Sequence, residues 1–237
     1  MPDWNPAEII GTKPRPLALS IYKELITDHV WSKQRNNYGY KNVESHHLLT
    51  NFFGTPYVDV RIDFNSWLPH KLNPKLSEKI INYYLNKFEK NKNYHDKIEF
   101  KILFTCFTPN TNIRIKNELK NKFNQKEILE LKKNLKNVTK TAFEKYKKDL
   151  KKIEKLEKII CRISESKNDS ISKIYYLIEE CKKNGTIAFA GLARCGFIAV
   201  DILNSLVDDK ILSISEKEKF LSSIKNIATK VNNDFLN

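Results

Sequence analysis

The chain has 237 residues, 41% of them hydrophobic, with a formal net charge of +14, eight prolines and six glycines. That length buries a full core in one large domain or in one domain carrying a long insertion, and the composition excludes a disordered or fibrous chain. Four cysteines, at 106, 161, 181 and 195, lack C-x-x-C spacing and argue against a zinc site or a disulfide framework.

In chain order, Pro14-Arg15-Pro16 excludes helix until Pro16, which can open a helix over Leu17 to about Lys33 on the spacing of Leu17, Ile21 and Leu25. Lys13 and Arg15 then stand on a rigid turn before a helix N-terminus. Val58, Val60, Ile62 and Phe64 alternate with Asp59, Arg61 and Asp63, so a strand here projects two carboxylates, a guanidinium and Asn65 to one side. Asn73-Pro74 leads into a helix over about 76–88, and residues 98–104 read as a second strand pairing with the first.

From 113 to 168 the chain holds 18 Lys/Arg against 8 Asp/Glu, which is +10 of the total +14. The apolar spacing Ile128, Leu131, Leu135, Val138, Ala142, continued with a phase shift from Phe143, predicts a long bent helix or an antiparallel hairpin. Its lysines alternate with Asn, Glu and Leu rather than with aromatic residues, which favours a solvated face over a nucleic-acid surface. Asp169 or Ser170 caps a further helix that Asn184-Gly185 is expected to stop, and Ser215 to Glu218 reads as a capping box for the last helix. No apolar run in this reading approaches the roughly 20 residues of a membrane span, and a cytoplasmic protein without membrane contact is the expectation.

Only six basic residues are arginine, at 15, 35, 61, 114, 162 and 194. A planar guanidinium fork matches a carboxylate or phosphate in a way that lysine does not. The pattern of elements predicts an α+β fold, predominantly helical, with a small sheet at 57–64 and 98–105. The expected division is a core of 3–112 and 169–237 with a lysine-rich helical hairpin or arm over 113–168.

The stretches DWNPAEIIGTKPRPLALSIYKELITDHVW, NYGY, PYVDVRIDFNSWLP and CKKNGTIAFAGLARCGFIAV, over roughly 3–107 and 170–207, resemble the central region of phosphoenolpyruvate-synthase-like phosphotransferases. The resemblance is strongest to the subgroup that phosphorylates the side-chain amide of L-glutamine for capsular phosphoramidate synthesis. It implies an acceptor-binding domain working with an ATP-grasp domain and a phosphohistidine domain of the same polypeptide, with ATP and Mg²⁺ used by the full enzyme. Neither a phosphohistidine loop nor an ATP-grasp hairpin is evident in this chain, and Met1 before the Asp3-Trp4 motif suggests an excised middle domain, inactive alone. Pyruvate or another small acid is the alternative acceptor, and a docking module the alternative role.

Glutamine phosphorylation demands a fork for the α-carboxylate, a carboxylate for the α-ammonium and a base for the amide proton. The expectation is that Lys13, Arg15, Arg61, Asn65 and Arg194 bind the acceptor and its phosphoryl donor. Asp59, Glu44 or one of His46 and His47 is expected to take the proton. Arg15, Asp59, Arg61, Asn65 and Arg194 are expected to share one pocket, with no metal bound by the chain.

Overall fold

A computed structural model describes residues 4–95 and 97–224. The element order is α1 (Trp4–Ile10), α2 (Pro16–Tyr22), a π-helical turn (Lys23–Thr27), α3 (Val30–Asn37), β1 (Leu49–Phe52), β2 (Thr55–Val58), α4 (Val60–Ser66) and α5 (Pro74–Lys90). There follow α6 (Ile98–Lys101), α7 (Thr111–Leu119), α8 (Gln125–Glu165), α9 (Ser170–Glu180), a second π-helical turn (Cys181–Thr186), α10 (Ile187–Asp208) and α11 (Ile214–Ser223). The fold is therefore α+β and predominantly helical, with one small sheet and a long helical hairpin.

The sheet lies elsewhere than the alternation predicts. It is the β1–β2 hairpin, registered from Leu49 opposite Val58 to Phe52 opposite Thr55, and it turns through Phe53 and Gly54, both at positive φ. Asp59 ends it. Its Oδ1 accepts from the backbone N–H groups of Arg61 and Ile62, which caps α4 and winds the next seven residues into helix. Residues 98–104 are also not a strand: one helical turn leads into an irregular segment in which Ile102, Leu103, Phe104 and Cys106 are all buried. Residues 102–106 are buried throughout while Lys101 before them is exposed, and the Phe104 N–H donates to the Tyr84 hydroxyl instead of to a neighbouring strand.

Helix α5 follows the predicted pattern, with Asn73 accepting from the Lys75 N–H and Pro74 opening the first turn. The predicted helix over 17–33 is instead two helices. The π turn and His29, at φ 65°, separate α2 from α3. At the end of α3, Gly39 takes φ 94°, the left-handed residue that lets the chain leave the helix.

Helix α8 is unbroken over 41 residues, capped by reciprocal bonds between Asn124 and Glu127. At 1.5 Å per residue it is roughly 60 Å long. It forms a hairpin not with itself but with the continuous helix Ser170–Asp208, in which α9, the second π turn and α10 run on without a stop. Asp169 caps that helix as expected, accepting from Ile171 and Ser172. Gly185 does not end it; the residue lies inside the second π turn, where an added Cβ would make an ordinary contact 3.5 Å from Leu156 of α8. The last helix is capped by Ser213 with Glu216, two residues before the predicted box.

The division at 112/113 and 168/169 does not coincide with a break in packing. Ile115, Leu119, Leu131, Leu135, Val138 and Ala142 join α4, α5 and the 102–106 segment in the larger of two hydrophobic clusters. Only the distal half of α8 projects. The smaller cluster joins Tyr22 and Trp31 to Val43, Leu48, Leu49 and Val58. Helix Ser170–Asp208 also corrects the expectation about apolar runs: it holds an 18-residue window of mean hydropathy 1.7, and by length and composition could cross a membrane. A third of that window is buried in the fold, and Arg194 in the same helix is enclosed.

Candidate functional site

The two hydrophobic clusters meet at Arg35. Its guanidinium carbon lies 3.7 Å from the centre of the Trp67 ring in the larger cluster and 4.5 Å from that of Trp31 in the smaller one. Helix α4 supplies its anion: Arg35 Nη1 donates to Asp63 Oδ1 at 2.7 Å and also to the Ser66 hydroxyl. Arg35 is thus held by stacking and by charge at the seam where α3, α4 and α10 approach.

Arg194 from α10 is the second guanidinium at Trp67, 4.7 Å from its ring centre and 96% buried by its 4% relative exposure. Its Nε donates to the Tyr40 hydroxyl at 2.9 Å and its Nη1 to Glu99 Oε2 at 2.6 Å, while Tyr40 donates onward to the Thr105 carbonyl at 2.6 Å. Burial opposes the charge on Arg194, but Tyr40, Glu99 and Cys106 more than offset it and hold the guanidinium protonated. Burial pushes the Glu99 carboxyl upward, against the pull of Arg194 and Arg35. Farther along, the Cys106 thiol donates to Asp201, which lies 3.8 Å from Arg114.

Five buried side-chain atoms among the described residues have no hydrogen-bond partner: Thr27 Oγ1, Asp28 Oδ1, Trp31 Nε1, Gln34 Nε2 and Arg194 Nη2. Four lie within eight consecutive residues, running from the first π turn into α3, and the fifth is on α10, which packs against α3. Each such atom costs about 1–3 kcal/mol if it stays unpaired, so the five, on the π turn, the Asp28 link, α3 and α10, call for a polar partner, either water or a ligand. The same segment carries the π turn and His29 at φ 65°, two departures from regular backbone that concentrate at functional sites. His29 Nδ1–H donates to the Glu44 carbonyl at 3.0 Å, and His47 Nδ1 stands 3.4 Å from Asp28 Oδ1.

The sequence-derived site residues do not gather into one pocket. Arg15 is exposed at the N-cap of α2 without a side-chain bond to the helix, and Lys13 is exposed on the turn before it. Asp59 is engaged as the α4 cap, which leaves it poorly suited to serve as a base, and Arg61 is exposed in the first turn of that helix. Asn65 donates to the Arg61 carbonyl and accepts from Lys41. His46 is exposed and bonded to the Ser45 hydroxyl, while Glu44 contributes its carbonyl to His29. Arg194 is enclosed by Tyr40, Trp67 and Glu99, so the five residues expected together occupy a surface turn, a helix start and the interior.

Residues that sequence reasoning passed over are Thr27, Asp28, Trp31, Gln34 and Arg35. The one signal in the sequence was Arg35, one of only six arginines; the break at residues 28–29 puts Thr27 outside the helix that carries Trp31 and Gln34, so no continuous periodicity links the three. Among the described residues no three His, Cys, Asp or Glu side chains form a group able to hold a metal ion. No family model, curated protein or solved structure matches the chain.

The polar interior predicts an alkaline limit to stability. Burial pushes Cys106 up to about 12 from 9.0, and raises Tyr38, Tyr40 and Tyr84 above 10.0. A group whose folded value lies above its unfolded one contributes fully below the unfolded value and loses that contribution as pH rises. Urea midpoints should therefore hold to about pH 9 and fall steadily above it; a midpoint constant to about pH 11 would contradict the burial of these groups.

Proposed function

We propose that the chain is the acceptor-binding domain of an ATP-dependent phosphotransferase and that it holds L-glutamine at the seam between the π turn, α3 and α10. The observation that carries this is the set of five buried polar atoms without a hydrogen bond, of which Asp28 Oδ1 has only the 3.4 Å approach of His47. Trp31 Nε1–H, the Gln34 amide N–H and Arg194 Nη2–H are donors, which call for carboxylate, carbonyl or phosphoryl oxygens. Asp28 Oδ1 is an acceptor, which calls for an ammonium or amide N–H, and the Thr27 hydroxyl can serve as either. An amino acid with a side-chain amide presents this complement of groups. The resemblance of the motifs to the glutamine-phosphorylating subgroup supports the same choice.

The amide nitrogen is a weak nucleophile because its lone pair is delocalised into the carbonyl. Donors on the carbonyl oxygen and a base for the departing proton answer that weakness. Under this reading Asp28 takes the place of Asp59 and Glu44 as the proton acceptor, with His47, one of the two histidines expected for that role, beside it, and Arg194 orients an oxygen. Entry requires the seam to part at the π turn, where the regular hydrogen-bond ladder is already broken. ATP, Mg²⁺ and the phosphohistidine belong to other domains of the polypeptide.

Calorimetric titration at fixed ionic strength tests the proposal. L-glutamine should bind in preference to L-glutamate and pyruvate, and Trp31→Phe, which keeps the ring beside Arg35 but removes the donor, should weaken it about tenfold. Glutamine binding unchanged in both Trp31→Phe and Asp28→Asn would sink the assignment of the seam. A docking module is the second reading, favoured by the exposed side chains of Ile171, Ile174 and Tyr175 on α9 and Phe189 on α10.

A further inference from the structure

We propose that a separate pocket, between the turns at Gly39 and Pro69–Lys71 and the middle of α8, binds a hydroxyl-bearing oxyanion of the hydrogen phosphate type. This site is independent of the acceptor reading. Its volume is about 270 Å³, ample for a phosphate group, and its lining includes Gly39, His70, Lys71, Asn137, Lys140 and Glu144.

Three features give the pocket its chemistry. The His70 ring is oriented by Nδ1–H donation to the Gly39 carbonyl at 2.8 Å, while the His70 backbone N–H donates to the same oxygen at 3.0 Å. A carbonyl only accepts, so this bond assigns the ring proton to Nδ1 and leaves Nε2 of the neutral imidazole with a lone pair for a ligand hydroxyl. Among the described residues neither the Lys71 ammonium nor the Asn137 side-chain amide has a hydrogen-bond or ion-pair partner, so both donors are available at the pocket wall.

The charge favours an anion. Lys71 and Lys140 outweigh Glu144, which stands 3.6 Å from Lys140, and leave one net positive charge among the three. The segment 113–168, which includes Lys140 and Glu144, holds 18 basic against 8 acidic residues, a net +10 that favours anions along this helix. Ammonium and amide donors receive the unprotonated oxygens, and His70 Nε2 receives the hydroxyl. Sulfate, which has no proton at neutral pH, offers nothing to that acceptor. The glycine is required at the hinge of this arrangement: Gly39 is at φ 94°, and its carbonyl fixes the histidine.

The test is titration of the protein with sodium phosphate and, separately, sodium sulfate at constant ionic strength, read by calorimetry and by the ring nitrogen resonances of His70. Phosphate should shift Nε2 and bind more tightly than sulfate, and Lys71→Ala should weaken phosphate about tenfold while leaving the urea midpoint unchanged. Ring resonances unmoved by phosphate, equal affinity for the two anions, or full phosphate affinity in both Lys71→Ala and Asn137→Ala would overturn the proposal.

Discussion

Arg194→Ala is expected to cost about 3–5 kcal/mol of unfolding free energy. The guanidinium cannot be removed alone. Its departure leaves Glu99 without its 2.6 Å partner and strips Tyr40 of the donor at 2.9 Å, in an interior where the arginine itself is 4% exposed. It also opens the face of Trp67, so a packing loss adds to the electrostatic one. Arg194→Lys should recover little, since one ammonium at the end of a flexible stem does not reproduce the two directed bonds and the flat stacking surface. The double change Arg194→Met with Glu99→Gln should be less damaging than Arg194→Met alone, because it removes the stranded charge along with its partner. Urea unfolding of the four proteins measures this; an Arg194→Ala protein within about 1 kcal/mol of the parent would show that the network contributes nothing net.

Gly191→Ala is the second large effect, and its sign is set by competition. Alanine in mid-helix gains about 1 kcal/mol over glycine from backbone propensity. At position 191, however, an added Cβ would overlap Asp149 Oδ2 and come within 2.6 Å of the Tyr38 hydroxyl. Those two groups are hydrogen bonded to each other at 2.8 Å, buried between α3 and α8, and the methyl group has to break or displace that bond. Overpacking at about 1–3 kcal/mol together with a disrupted buried bond at about 1–3 kcal/mol exceeds the propensity gain of about 1 kcal/mol, for a net loss of about 1–5 kcal/mol. Gly196, five residues on, has nothing within 4 Å of its added Cβ and lies in the same helix. Gly196→Ala should therefore stabilise by about 0.5–1 kcal/mol. Equal stability of the two variants would mean that α10 can move away from the Tyr38–Asp149 pair at no cost.

How much of this was legible in the sequence differs by element. Helices with a strong cap and a one-sided apolar stripe, such as α5 behind Asn73 and α9 behind Asp169, could be read directly because the local signals agree with the packing. The strand predicted at 57–64 failed for a physical reason: one aspartate, Asp59, provides a better local hydrogen-bond solution as a helix cap than the alternating side chains provide as a strand. Residues 98–104 failed because their first four residues close a helical turn, with Lys101 exposed, and only the following 102–106 are buried throughout. The stop expected at Gly185 failed because the glycine stays helical, inside the π turn that joins α9 to α10.

For the site, the scarcity of arginine pointed correctly to Arg194 as a special position, but not to its role. Its partners Glu99 and Tyr40 are 95 and 154 residues away in the chain, so only the tertiary fold brings them together. The α3 residues of the seam were obscured by treating 17–33 as one helix. The π turn and His29 shift the helical phase between Leu25 and Trp31, and a periodicity carried through that break puts Thr27 and Gln34 on the wrong faces.

The measurement that bears most directly on the central claim is the indole N–H spectrum of ¹⁵N-labelled protein during titration with L-glutamine. The chain has three tryptophans, so three indole signals, and Trp31→Phe identifies the relevant one by its disappearance. Binding at the seam predicts that the Trp31 signal moves downfield as its unpaired N–H acquires an acceptor, together with one side-chain amide pair assigned to Gln34, and that L-glutamate and pyruvate reproduce neither shift. Saturable glutamine binding that leaves the Trp31 indole unmoved would contradict the account, because it would put the acceptor somewhere other than between α3 and α10.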